Sequence, residues 1–189
     1  MNHIILDIET VPLDMEKYDT LPEEEKFKIL NPIDSRIVAI GFKHEGVRTV
    51  IIDEDERILL EQFWKKFNDA RTKTPGSIIV GFNITNFDLS FLTTRSFARN
   101  VQIVPFKLKH VIDIRDKLTA YKSGKTRGTL KDYANFLGIE TDGTGAQVSD
   151  WWKNKEYDKI HMYLSRDLDM TEAIYMRAKE LRILEIEKW

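Results

Sequence analysis

His3-Ile4-Ile5-Leu6-Asp7-Ile8-Glu9-Thr10-Val11 is the stretch on which the reading of this chain turns. It is short, rich in Ile and closed by Pro12, so it reads as a buried strand. Asp7 and Glu9 lie two apart within it, and the two-residue period of a strand projects both carboxylates from the same face. Like charges on one face of a mostly buried strand repel, and burying them unpaired is costly. A solvent-facing sheet edge or an arginine partner would relieve the conflict with no function attached. A hard cation is the other way to relieve it.

Outward from that strand, Pro12 to Asp34 is acidic and punctuated by proline, which predicts loop with at most one helical turn around Glu23–Leu30. Arg36–Lys43 and Val47–Asp53 flank His44-Glu45-Gly46, a hairpin signature that makes three consecutive antiparallel strands. Ile58, Leu59, Phe63, Phe67 and Ala70 then recur at helical spacing and predict a helix that closes before Pro75-Gly76. Ser77–Phe82 reads as a strand, 86–99 as a helix, Val101–Val104 and Val111–Ile114 as short strands, and Thr129–Leu137 as a short helix ended by Gly138. From Lys155 to Lys188, Ile160, Leu164, Leu168, Thr171, Tyr175 and Ala178 mark one long amphipathic helix, broken at most once. This order predicts an α/β fold in a single domain, 1–189. Its sheet is mixed, with strands 1–3 antiparallel, a parallel continuation and flanking helices.

Composition narrows the chemistry. The 189 residues contain no cysteine, which excludes disulfides, thiolate metal sites and cysteine nucleophiles. Nothing at the amino terminus reads as a targeting signal, and no run approaches the roughly 20 apolar residues that span a bilayer, so a cytoplasmic protein without membrane contact is expected. The 29 Lys+Arg against 31 Asp+Glu leave a net charge of -2. That average conceals segregation: Pro105 to Lys131 holds eight Lys/Arg against two Asp, a local +6, and the remainder carries -8. A basic segment facing a phosphate backbone is one reading, and a solvated loop the other. Ser123-Gly124-Lys125-Thr126 imitates the end of a phosphate-binding loop, but Thr119 stands where its first glycine belongs and no strand leads into it.

Two further carboxylates complete the pattern. Gly81-Phe82-Asn83-Ile84-Thr85-Asn86-Phe87-Asp88 joins a strand to a helix and puts Asp88 in the first turn, where the helix dipole favours its ionised form. Asn86 or Asp88 acting only as a cap is the alternative. Asp167 lies mid-helix, where aspartate has poor propensity, and shares a helical face with Tyr163 four residues earlier. Asp169 points elsewhere and reads as a solvated charge.

Asp7-Ile8-Glu9-Thr10, Asn83 through Phe87-Asp88, and Tyr163 through Asp167 occur in the order found in the DEDD superfamily of 3′–5′ exonucleases. The chain resembles in particular the stand-alone relatives of the exonuclease domain of family B DNA polymerases, from residue 4 to about 177. The resemblance implies a ribonuclease H-like fold. It also separates two types, with a His five residues before the last Asp or a Tyr four before it. Here those positions are Met162 and Tyr163. His161, six before, lies about 240° round the helix at 3.6 residues per turn. The chain therefore resembles the tyrosine type, DEDDy.

Asp7, Glu9, Asp88 and Asp167 offer only oxygen ligands, which select Mg²⁺ or Mn²⁺ over zinc. They are expected to hold two ions about 3.5–4 Å apart, one activating water and the other stabilising the departing 3′ oxygen. Asp7 bridges both ions in the resembled family. Tyr163, with a phenol pKa ordinarily near 10, is expected to orient the water rather than deprotonate it. Thr10, Asn83 and Phe87 in the motifs, and Lys122, Lys125 and Arg127 in the basic segment, are the expected substrate contacts. The expected partner is single-stranded nucleic acid, DNA rather than RNA. An RNA exonuclease and a non-catalytic nucleic-acid-binding module on the same fold are the rival readings.

Overall fold

The computed structural model describes residues 2–124, 127–141, 143 and 145–188. Its strands are β1 (His3–Pro12), β2 (Ser35–His44), β3 (Val47–Ile52), β4 (Ile78–Gly81) and β5 (Val111–Asp113). Its helices are α1 (Met15–Thr20), α2 (Glu23–Lys26), α3 (Glu56–Lys73), α4 (Asp88–Ala98), α5 (Ile114–Leu118), α6 (Leu130–Phe136), α7 (Gln147–Lys153) and α8 (Tyr157–Glu180). The sheet runs β3-β2-β1-β4-β5, with β1 to β3 antiparallel and β4 and β5 parallel to β1. This is the mixed sheet the sequence predicts. Glu45 (φ 51) and Gly46 (φ 77) close the β2–β3 hairpin, both with the positive φ that a two-residue turn of matching twist requires.

The alternation along β1 sorts the core. Ile4, Leu6 and Ile8 join Phe63, Phe67 and Phe91 from α3 and α4. Ile5 joins Leu168, Ile174 and Tyr175 of α8, and Val11 joins Val148, Trp152 and Tyr163. Asp7 and Glu9 therefore share the face covered by α8. Opposite Asp7 on β2 stands Gly41, where a Cβ would lie 2.9 Å from side-chain atoms of both Leu164 and Leu168. Glycine lets α8 sit directly on the sheet at the level of the acidic pair.

A second buried charge lies on the α3/α4 side. Glu56, in the first turn of α3, accepts from Arg95 at 2.8 and 2.6 Å, from Arg99 at 2.8 Å and from the Ile37 N–H at 2.9 Å. One carboxylate thus ties α3, α4 and β2 together. Burial opposes its charge, but the two guanidiniums and the backbone donor win and hold its pKa below the usual value.

Three expectations need correction. Val101–Val104 forms no strand; Val101, Ile103 and Val104 pack as extended chain on the α3/α4 core without a ladder. The long helix ends at Glu180, with Arg182 at φ 60 before a 3₁₀ turn at Ile183–Glu185. Helix α7 was not expected, nor was α1, which occupies part of the predicted loop. Among the described residues no helix is long and apolar enough to cross a membrane.

Candidate active site

Each acidic side chain owes its place to a local feature of the fold. β4 pairs with β1 only as far as Ile5 and ends at Gly81, where a Cβ would lie 2.7 Å from Ile84 and 2.9 Å from the Leu6 carbonyl. Past that end the Ile8 N–H is taken by Asp88, the first residue of α4, whose Oδ1 accepts at 3.1 Å. On the other edge of β1 the register with β2 shifts between Glu9 and Thr10. Such bulges re-aim side chains beside functional sites. Above the sheet, α8 contributes Tyr163 and Asp167 from one face, while His161 and Met162 are exposed.

Carboxylate oxygens of Asp7, Glu9 and Asp167 lie within 4.8 Å of one another. Glu9, Asp88 and Asp167 are buried and Asp7 is half-buried. Asp88 falls outside this trio, but its charge is among those that raise the Asp7 pKa.

Burial and mutual repulsion dominate the electrostatics. Desolvation, then the charges of Asp88, Asp167 and Glu9, drives the Asp7 pKa well above the usual carboxylate range. Glu9 rises for the same reasons, with Lys131 pulling the other way. Burial lifts Asp88 to about 7 against its backbone donors, and lifts Asp167 to about 6 against Lys131 and Tyr163. Tyr163 is pushed far above 10 by burial and by Asp167, Glu9 and Asp7, so its phenol keeps its proton. The protein concentrates negative charge here and compensates little of it.

Among the described residues Lys131 is the cation whose charge offsets Glu9 and Asp167, a place that its sequence position within the basic segment does not reveal. On α6 its ammonium stands 4.3 Å from the centroid of the Tyr163 ring and donates to the Gly143 carbonyl. Only its attraction to the acids of α8 and β1 reveals the role, and that needs the fold.

The expected substrate contacts scatter. Thr10 follows the bulge. Asn83 sits at φ 61, its N–H donating to Asp113 at 3.0 Å and its Oδ1 accepting from Arg115. Phe87 packs on Phe91, ring centroids 4.8 Å apart, and belongs to the margin of the core. Arg127 pairs with Asp116, and Lys122 is exposed. Lys125 lies outside the described residues.

Comparison with known proteins bears on the fold. Residues 30–178 match the family model for the RNase H superfamily, a span that contains Asp88 and Asp167 and begins after β1. An uncharacterised protein of Methanocaldococcus jannaschii is 35% identical over 168 residues, which cover 82% of this chain and 93% of that protein. The family B DNA polymerase of the archaeon Pyrobaculum calidifontis superposes with a TM-score of 0.66 at 18% identity over 97% of this chain. The chain spans 25% of that polymerase's length. The shared architecture is the RNase H-like one.

Proposed function

The chain belongs to the RNase H superfamily, and from that premise we propose that it is a metal-dependent 3′–5′ exonuclease of the tyrosine type. Its substrate is single-stranded nucleic acid, DNA in preference to RNA, and its product nucleoside 5′-monophosphates. The observation that carries this reading is the convergence of Asp7, Glu9 and Asp167 within 4.8 Å, with Tyr163 beside Asp167.

The donor set fits a hard divalent cation, being all carboxylate oxygen, largely buried and under-compensated. Asp7, Glu9 and Asp167 would hold it with Asp88 adjoining Asp7. Mg²⁺ or Mn²⁺ there, two ions by the family pattern, supplies Lewis-acid polarisation of the phosphodiester and a lowered water pKa. The side chains do the rest. Tyr163, whose phenol pKa is raised by burial and by the neighbouring carboxylates, orients the attacking water by hydrogen bonding rather than acting as its base. Lys131 offsets the charge of a phosphate brought up to the carboxylates. Attack of water on the terminal phosphorus breaks its bond to the neighbouring 3′ oxygen, leaving a shortened strand with a 3′ hydroxyl. The preference for DNA rests on the likeness to a DNA polymerase.

Incubation of the protein with 5′-labelled DNA and RNA single strands, in Mg²⁺, Mn²⁺ or EDTA, tests this. The expected result is a cation-dependent one-nucleotide ladder on DNA. Binding without cleavage would make the protein a nucleic-acid-binding module instead, and a ladder on RNA alone an RNA exonuclease.

A further inference from the structure

The sheet has two edges, and the chain finishes them differently. β5 is three residues long and runs straight into α5, so it offers little main chain to a neighbour. β3 is six residues, Val47-Arg48-Thr49-Val50-Ile51-Ile52, paired with β2 through its whole length without a bulge. The two-residue turn at Glu45 and Gly46 makes His44 and Val47 a hydrogen-bonded pair, and antiparallel alternation gives the same standing to Phe42 with Thr49 and Ile40 with Ile51. The N–H and C=O groups of Arg48, Val50 and Ile52 therefore face away from β2. The same alternation carried across β2 and β1 leaves the Ile8 N–H facing β4, where Asp88 takes it. Among the described residues nothing takes the outward groups of β3. Nor is this edge guarded in the usual ways, since it has no proline and no lysine, and its one charge, Arg48, is bound to Asp169 of α8.

We propose that β3 docks a second copy of this chain, the two β3 strands pairing antiparallel about a two-fold axis at Val50. Val50 then faces the partner's Val50 and Arg48 faces the partner's Ile52, each pair exchanging both main-chain bonds. Charge selects a copy of this chain as the occupant. Arg48 lies on the α8 side of the strand, as its pairing with Asp169 shows, and Glu54, just past the other end, meets Tyr157 on that same side. Both side chains are more than a third exposed, Arg48 at 37% and Glu54 at 60%. Antiparallel pairing about Val50 brings each Arg48 diagonally beside the partner's Glu54, within reach of a long side chain. The strand thus carries at its two ends the two halves of an ion pair that only a second, reversed copy completes. The axis stands normal to the sheet, so both α8 layers cover one face of a continuous sheet and both acidic clusters lie on that side. A six-residue edge buries less than the roughly 1,200–2,000 Å² of a standard interface, which makes the association weak and reversible. None of this depends on the catalytic reading.

Sedimentation velocity from micromolar to submillimolar protein at low ionic strength is expected to show a reversible equilibrium between monomer and dimer. Hydrogen exchange of the main-chain amides locates the contact. Those of Val47, Thr49 and Ile51 should be protected at every concentration, and those of Arg48, Val50 and Ile52 only where the dimer is populated. Val50→Pro removes an outward N–H and none of the β2–β3 bonds, so it should stay folded and remain monomeric. Charge supplies a second test that leaves the main chain intact. Arg48→Glu or Glu54→Arg should weaken the dimer roughly tenfold, and the two exchanged together should restore it. A protein that stays monomeric throughout would overturn the proposal. So would a dimer in which the Arg48, Val50 and Ile52 amides exchange as fast as in the monomer, because its contact then lies elsewhere.

Discussion

Glu56 and Asp167 are both buried carboxylates, 3% and 8% exposed, yet the chain treats them in opposite ways. Glu56 is met by two arginines and a backbone N–H, and its pKa falls in spite of burial. Asp167 stands with Asp7 and Glu9 within 4.8 Å, and burial lifts its pKa to about 6. The same fold that supplies every countercharge to one acid withholds most of them from the other. Buried charge closed within the chain reads as architecture. Buried charge left open, with Lys131 and the Tyr163 hydroxyl only partly offsetting it, reads as a site awaiting a cation and a phosphate.

Removing an acid from each region separates these roles. Asp7→Ala or Asp167→Ala is expected to abolish cation-dependent cleavage in the strand-shortening assay while the protein stays folded. Glu56→Ala should do the reverse. It leaves Arg95 buried without its partner and should lower the unfolding free energy by about 3–5 kcal/mol in urea titration. Full stability in that variant would refute the architectural reading of Glu56.

Tyr163→Phe deletes one hydrogen bond at the reacting centre and should slow cleavage roughly tenfold to a hundredfold, with cation binding unchanged. Complete loss of activity would instead require the phenol to transfer the proton. A smaller effect sharpens the comparison in stability. Asp167→Asn removes a buried charge that also raises the pKa of Asp7 and Glu9, so in EDTA at neutral pH it should stabilise the protein by on the order of 1 kcal/mol.

The pH dependence of stability in EDTA should show both regions. Asp88 and Asp167 have folded pKa values of about 7 and about 6, above their ordinary 3.8. They bind protons more tightly folded than unfolded, so stability rises as pH falls through 7 and 6 towards 4. Glu56 is shifted the other way. Its contribution is complete above its ordinary 4.5 and disappears as pH falls through its lowered folded value. Thermal stability should therefore be greatest near about pH 4 to 4.5, where the protonated cluster and the ionised Glu56 coexist. A flat profile from pH 8 to 5 would contradict the strained cluster.

Much of this was legible in sequence because it depends on short periods. Asp7 and Glu9 in an apolar strand, and Tyr163 with Asp167 four apart in a helix, declare their shared faces before any fold is known. What depends on distant partners was not. Arg95 lies 39 residues from Glu56, and nothing local announces that pair. Asp88 reads as a helix-start residue in sequence, while its hold on Ile8 depends on β4 stopping short. Helix α7 has too few turns to show a period, and Val148 and Trp152 reveal its buried side only once Val11 and Tyr163 are placed against them. Lys131 sits in a run of cations and is singled out only in the fold, by the acids it attracts.

Isothermal titration of the metal-free protein with Mn²⁺ at pH 7.5 tests the open cluster most directly. Saturable binding to the wild-type protein and to Tyr163→Phe, lost in Asp7→Asn and Asp167→Asn, is the predicted result. Absence of binding, or binding undiminished by both asparagine substitutions, would contradict it.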